Sequence, residues 1–172
     1  MNSLKSTCGK LVHGMADVIF EDFSFKVKDA IDDRINIALE ECAGELESQT
    51  KRNSRVGQAG APTKNSFKHK VDELKHIAYI GSNEENAIWE EFGTGEHALE
   101  GKGRKGAWYV PVEEVVGYKK PTFNGKVVIV YGKNGKKYYK TNGKKPSRAF
   151  WNAYTSMKPK IIKRIQNTLK GL

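Results

Sequence analysis

The sequence predicts an α+β fold in which a long N-terminal helix and a C-terminal helix pack on a small, mostly antiparallel β-sheet, with a short capped helix between strands. Three observations predict it. From Phe25 to about Thr50, apolar residues fall at Val27, Ile31, Ile35, Ala38, Leu39, Cys42 and Leu46, the three-and-four spacing of an amphipathic helix. Toward the C-terminus Phe150, Tyr154, Met157, Ile161, Ile165 and Leu169 form a second stripe. Between them lie short β-branched and aromatic runs separated by turn signals, of which the Asn-Gly in Gly132-Lys133-Asn134-Gly135 is the clearest.

The 172 residues suit a single domain. It is expected to span 25–172, with 1–24 an N-terminal extension or leader, in which Met15 is a candidate start and 1–14 an appended leader or tag. The two cysteines, Cys8 and Cys42, form no CxxC pair, and His13, His69, His76 and His97 show no ligand spacing, so no disulfide framework, metal or cofactor is expected. The longest apolar run, Val127 to Tyr131, is too short to cross a bilayer, and the expectation is a cytoplasmic protein without a membrane partner. Charge is distributed unevenly. Residues 1–101 carry 12 Lys/Arg against 18 Asp/Glu, a balance of −6, and residues 102–172 carry 18 against 2, a balance of +16. Such a chain suits nucleic acid or another polyanion, or copies that pack acidic face to basic face.

The first helix, about seven turns long, is the longest element. Lys51 to Asn65, with Gly57, Gly60 and Pro62, reads as a mobile loop. Phe67 to Val71 and His76 to Ile80 read as two strands of a hairpin turning through Asp72-Glu73. Ser82 and Glu85 then have capping-box spacing for a short helix, whose Ile88, Trp89 and Phe92 are expected in the core and whose Gly93 is the positive-φ terminator. Glu96 to Gly106 is a glycine-rich surface loop. It follows a helix and not a strand, which excludes a dinucleotide or P-loop reading. Ala107 to Val112 is a strand that Pro111 confines to an edge or an end. Lys126 to Tyr131 and Lys137 to Thr141 form the second hairpin, decorated by Lys133, Lys136, Lys137, Lys140, Lys144 and Lys145 among tyrosines, a pattern that serves either nucleic-acid contact or protection of strand edges. Ser147 is the expected N-cap of the last helix, which Pro159 is expected to kink or split near Met157 to Lys158.

Catalytic patterns are sparse. No nucleophile elbow and no H-E-x-x-H occurs, and Glu90 and Glu91, adjacent on a helix and about 100° apart, cannot both face one scissile bond. A metal-dependent nuclease built on Asp72, Glu73 and Glu91 is the one enzymatic alternative, and nothing in the spacing fixes those ligands. The expectation is a protein that is not an enzyme.

Two segments add a family resemblance. N-A-I-W-E-E-F-G-T-G, Asn86 to Gly95, resembles the Tyr-Ala-x-x-x-Glu-Phe-Gly-Thr-Gly signature of the tail-completion, or head-tail joining, proteins of long-tailed bacteriophages, often catalogued as minor tail components. T-N-G-K-K-P-S-R-A-F-W-N-A, Thr141 to Ala153, is similar to that family's Thr-x-Gly-x-x-Pro-x-x-x-Phe-x-x-Ala entry into its final helix. The matching positions are Ala87, Glu91, Phe92, Gly93, Thr94 and Gly95 in the first segment and Thr141, Gly143, Pro146, Phe150 and Ala153 in the second. The resemblance covers roughly Phe25 to Leu169. It departs from the family at Thr63-Lys64-Asn65-Ser66-Phe67, where the family has Thr-Gly-x-Leu, at Asn86, where an aromatic is usual, and in the longer stretch Gly101 to Asn124. What it implies is a structural virion protein at the neck: a ring-forming, generally hexameric subunit between the head connector and the tail tube or tail terminator proteins, assembled in the host cytoplasm, with genome DNA passing by. Within it Gly93 and Gly95 are expected to set the backbone turn, and Glu91 to pair with a basic partner in its own chain or a neighbour's. The alternative is a basic module that binds nucleic acid without sequence preference.

Overall fold

The computed structural model describes residues 22–55, 62–115 and 120–170. The expected extension up to residue 21, part of the expected mobile loop and part of the 101–124 stretch lie outside the described residues. The fold is α+β. Helix α1 spans Ser24–Asn53, α2 is a single turn at Pro62–Ser66, and β1 (Lys68–Asp72) and β2 (Ile77–Gly81) form a hairpin. Helix α3, Glu85–Phe92, leads through 3-10 turns at Gly95–His97 and Leu99–Gly101 to β3, Trp108–Pro111. Strands β4 (Val128–Tyr131) and β5 (Lys137–Thr141) follow, and α4 runs from Ala149 to Lys170. Among the described residues no helix is long and apolar enough to cross a membrane.

The strands divide into two antiparallel sheets, the β1-β2 hairpin and a three-stranded sheet ordered β3-β5-β4. Pro111 sits at the end of β3, on an edge, as its missing amide requires. The α1 stripe is used on two sides. Ala38, Cys42, Ala43 and Leu46 are buried, α4 lies along one flank, and the hairpin lies on the other. Alternation in the hairpin follows from this: Ala78 and Ile80 turn inward, whereas Ile77 and Tyr79 are exposed. Arg164 pairs with Glu41 and Glu45, Lys160 pairs with Glu45, and Asn53 donates to the Ala149 carbonyl, so α1 and α4 run antiparallel.

Four local expectations are corrected. Lys51 to Asn53 complete α1 and Pro62 to Ser66 are helical, which shortens the expected loop from both ends. The Ser82–Glu85 capping box does not form. Ser82 Oγ instead accepts the Glu84 amide and bonds Ser66 Oγ, so α3 starts later, after an extended Glu84. Pro159 does not split α4, which is one helix from Ala149 to Lys170. Pro159 is exposed, so water can satisfy the carbonyl it frees, while the ion pairs of Lys160 and Arg164 hold the next turn on α1. The fourth correction concerns which face of α3 is buried.

Candidate functional site

Ala87 is the buried residue of α3, and Glu90 and Glu91, three and four positions on, share its inward face. Ile88, Trp89 and Phe92, expected in the core, are 56%, 47% and 55% exposed. The helix is turned polar side in because that side organises the start of α4. Both oxygens of the Glu91 carboxylate are used: Phe150 N–H donates to Oε2 and Trp151 N–H to Oε1, each at 2.9 Å. The first amides of a helix have no partner within it, and a carboxylate there also meets the positive end of the helix dipole. Glu91 thus takes the position expected of Ser147, and the partners described for it within its own chain are backbone amides. Ser147 is engaged elsewhere, its amide (2.7 Å) and its hydroxyl (2.9 Å) both donating to the Glu90 carbonyl. The basic partnership falls one residue earlier, where the Glu90 carboxylate pairs with Lys144.

Past α3 the chain turns sharply at Gly93, φ +75°, and Gly95, φ +60°. Thr94 and Glu96 then run beside Asn142 and Lys144. The Thr94 amide donates to the Lys144 carbonyl, the Glu96 amide to the Asn142 carbonyl, and the Lys144 amide to Thr94 Oγ1, each at 2.9 Å. The glycines permit this approach. A Cβ on Gly143, φ +120°, would collide with the Thr94 carbonyl, and one on Gly95 with the Asn142 carbonyl and the Trp108 ring. A Cβ on Gly93 would stand 2.8 Å from Pro146 Cδ. Thr141 is buried and its hydroxyl accepts the Gly143 amide, and Ala153 is completely buried one turn into α4. Glu91, Gly93, Thr94, Gly95, Thr141, Gly143, Pro146 and Phe150, in segments far apart in sequence, therefore meet in one junction, and Ala87 and Ala153 are buried in the two helices it joins. Phe92 alone of that set points to solvent.

Sequence reasoning missed Glu96 and Asn142. Asn142 Nδ2 donates to Glu96 Oε2 at 2.9 Å, and the Gly106 amide donates to Oε1. These two hydrogen bonds, that of Asn142 first, hold the Glu96 carboxyl below the usual range. Asn142 is buried, yet in sequence it is only the variable residue between Thr141 and Gly143. Trp108, the wall opposite Gly95, was legible only as a strand residue.

The six lysines singled out for nucleic-acid contact do not make one patch. Lys144 is held by Glu90. Lys137 and Lys140, three apart on β5, project from opposite faces of the sheet, over the rings of Tyr131 and Phe123 respectively. Lys133, Lys136 and Lys145 are exposed, the first two in the β4-β5 turn. Asp72, Glu73 and Glu91 are also dispersed. Asp72 binds Lys75, and the Glu73 carbonyl accepts from Asn36 in the first half of α1, whereas Glu91 lies at the α4 start that adjoins Asn53, roughly 25 Å further along α1. Among the described residues no group of three or more His, Cys, Asp or Glu side chains is placed to hold a metal ion.

A second polar cluster fastens the hairpin to α1. His69 bonds Glu47 through Nδ1 (2.5 Å) and its own amide (2.9 Å), and Glu40 through Nε2 (2.9 Å). Hydrogen bonds to Glu47 and then Glu40 raise the His69 pKa above its ordinary value. Burial pushes Glu47 upward, but hydrogen bonds from Lys51 and His69 outweigh it and leave the carboxyl below its ordinary value. At the hairpin turn His76 lies between Asn36 and Asp32. Beneath, the Cys42 thiol is pushed up by burial. No protein-family model, curated protein or solved structure matches the chain.

Proposed function

We propose that this protein is a structural, non-enzymatic component of a long-tailed phage or prophage particle, a tail-completion subunit that joins the head connector to the tail tube at the virion neck as a ring of identical copies. One observation carries the reading. Most of the residues that resemble the family's two signatures meet in one hydrogen-bonded junction, and the α3 helix that enters it presents Ile88, Trp89 and Phe92 to solvent. Exposed aromatic and aliphatic residues side by side on a short rigid helix suit a partner surface. Part of the uneven charge is used within the chain, by Lys160 and Arg164 on Glu41 and Glu45 and by Lys144 on Glu90, and the charge left exposed suits contacts between unlike surfaces, as a ring requires. The test is deletion of the coding sequence from the producing phage or prophage, followed by electron microscopy of the lysate. Filled heads and complete tails that remain unjoined are the expected result, and a normal yield of joined, infectious particles would refute the reading.

A further inference from the structure

β4 is an edge strand without the usual protection. It closes one side of the β3-β5-β4 sheet, and among the described residues no other strand pairs with it. Edge strands ordinarily carry a charge, a proline or a bulge, because their unpaired amides and carbonyls template further pairing. From Val127 to Tyr131 there is neither charge nor proline, and Val127, Ile129 and Tyr131 are exposed. The hairpin fixes which backbone groups are open. The Gly132 amide donates to the Lys136 carbonyl at 2.9 Å, and ladder bonds alternate along an antiparallel pair. With Val130 opposite Tyr138 and Val128 opposite Lys140, those two valines bond β5, and the N–H and C=O of Ile129 and Tyr131 face the open side.

The opposite edge is β3. The same alternation, carried across β5, points Trp108 and Val110 inward and Tyr109 and Pro111 outward. Pro111 lacks an N–H, but Tyr109 keeps both of its backbone groups. Both edge strands run antiparallel to β5 and hence parallel to each other. β3 is followed by exposed Glu113 and Glu114, and β4 by exposed Lys133 and Lys136.

We infer that β4 of one copy pairs in parallel with β3 of a second copy, so that the three-stranded sheets continue head to tail. This rests on the self-assembly reading above and supplies its interface. In a parallel pair Tyr109 of the incoming copy donates its amide to the Ile129 carbonyl and accepts the Tyr131 amide. The same alignment sets Glu113 and Glu114 beside Lys133 and Lys136. Pairing of β4 with itself, antiparallel, would instead set Lys126 of each copy beside Lys133 and Lys136 of the other, a like-charge arrangement that disfavours it. Contact between two different edges closes into a ring when the rotation between copies allows.

The experiment is light scattering of the full chain over a concentration series in low salt. Wild type is expected to form species of several times 19.3 kDa. Ile129→Lys, which charges an already exposed side chain, and Ile129→Pro, which removes an outward amide and no β5 bond, should both remain at the monomer mass with an unchanged circular dichroism spectrum. Glu113→Lys with Glu114→Lys should weaken assembly, and adding Lys133→Glu with Lys136→Glu should restore it. Oligomers that persist in both Ile129 variants would overturn this interface while leaving the assembly reading in place. A wild type that stays monomeric at every concentration would overturn both.

Discussion

Glu91 of α3 caps α4 across the fold, its two carboxylate oxygens each accepting one amide, from Phe150 and from Trp151, at 2.9 Å. The interaction joins the two motif segments at the point where the last helix begins. Glu91→Gln leaves one acceptor and turns an NH2 group toward an N–H. It is expected to cost about 1–2 kcal/mol, the range of an N-cap with its dipole contribution. Urea denaturation checks this, and a midpoint equal to wild type would show that the cap is dispensable.

Gly143→Ala tests the close approach of the two segments. The new Cβ would meet the Thr94 carbonyl on a backbone at φ +120°, and a loss of about 3 kcal/mol or more is expected from overpacking added to strain. Gly125→Ala is the control. Its φ is +76° but the space around it is open, so only the backbone penalty of about 1–2 kcal/mol applies. Thermal unfolding of the pair separates steric closure from conformational strain, and equal losses would remove the steric account.

Much of this architecture was legible in the sequence. Both hairpins and most of the α1 and α4 stripes follow from periodicity and turn residues, although Val27, Tyr154 and Leu169 are exposed, and the positive φ of Gly93 follows from glycine's access to backbone that other residues avoid. The inward face of α3 was not legible. Ile88, Trp89 and Phe92 look like a core stripe by hydrophobicity, and only the tertiary partner, the unsatisfied amides of α4, explains why Ala87, Glu90 and Glu91 turn inward instead. Ser147 is a good N-cap by type, but its hydroxyl is committed to the Glu90 carbonyl, and no local pattern shows that a carboxylate from another segment replaces it. Asn142 and Glu96 were missed for the same reason, since their pairing depends on the path of two loops.

The His69 cluster predicts a pH dependence. The His69 pKa is raised above 6.5, so its contribution to stability is complete below 6.5 and is lost as pH rises through the raised value. The Glu47 pKa is lowered below 4.5, so its contribution is complete above 4.5 and is lost as pH falls through the lowered value. Both are present between those two ordinary values. Wild type should therefore lose stability between about pH 6 and about pH 8.5, and His69→Gln should lose less over the same interval. Chemical denaturation at the two pH values decides, and parallel slopes in the two proteins would contradict the assignment.

Pro159→Ala restores an amide inside α4 and relieves the clash with the preceding turn. Stabilisation of about 1–3 kcal/mol is expected. Calorimetry of the variant checks it, and a lower melting temperature would mean that the proline has a packing role on α4.

Contact between the exposed face of α3 and another component of the particle is what the proposed role requires. Its most direct measurement is particle joining by Trp89→Lys, a substitution at a half-exposed side chain, assayed in the deletion background by electron microscopy. The variant is expected to unfold at the wild-type temperature yet to leave heads and tails unjoined. Full restoration of joined particles by that folded variant would contradict it.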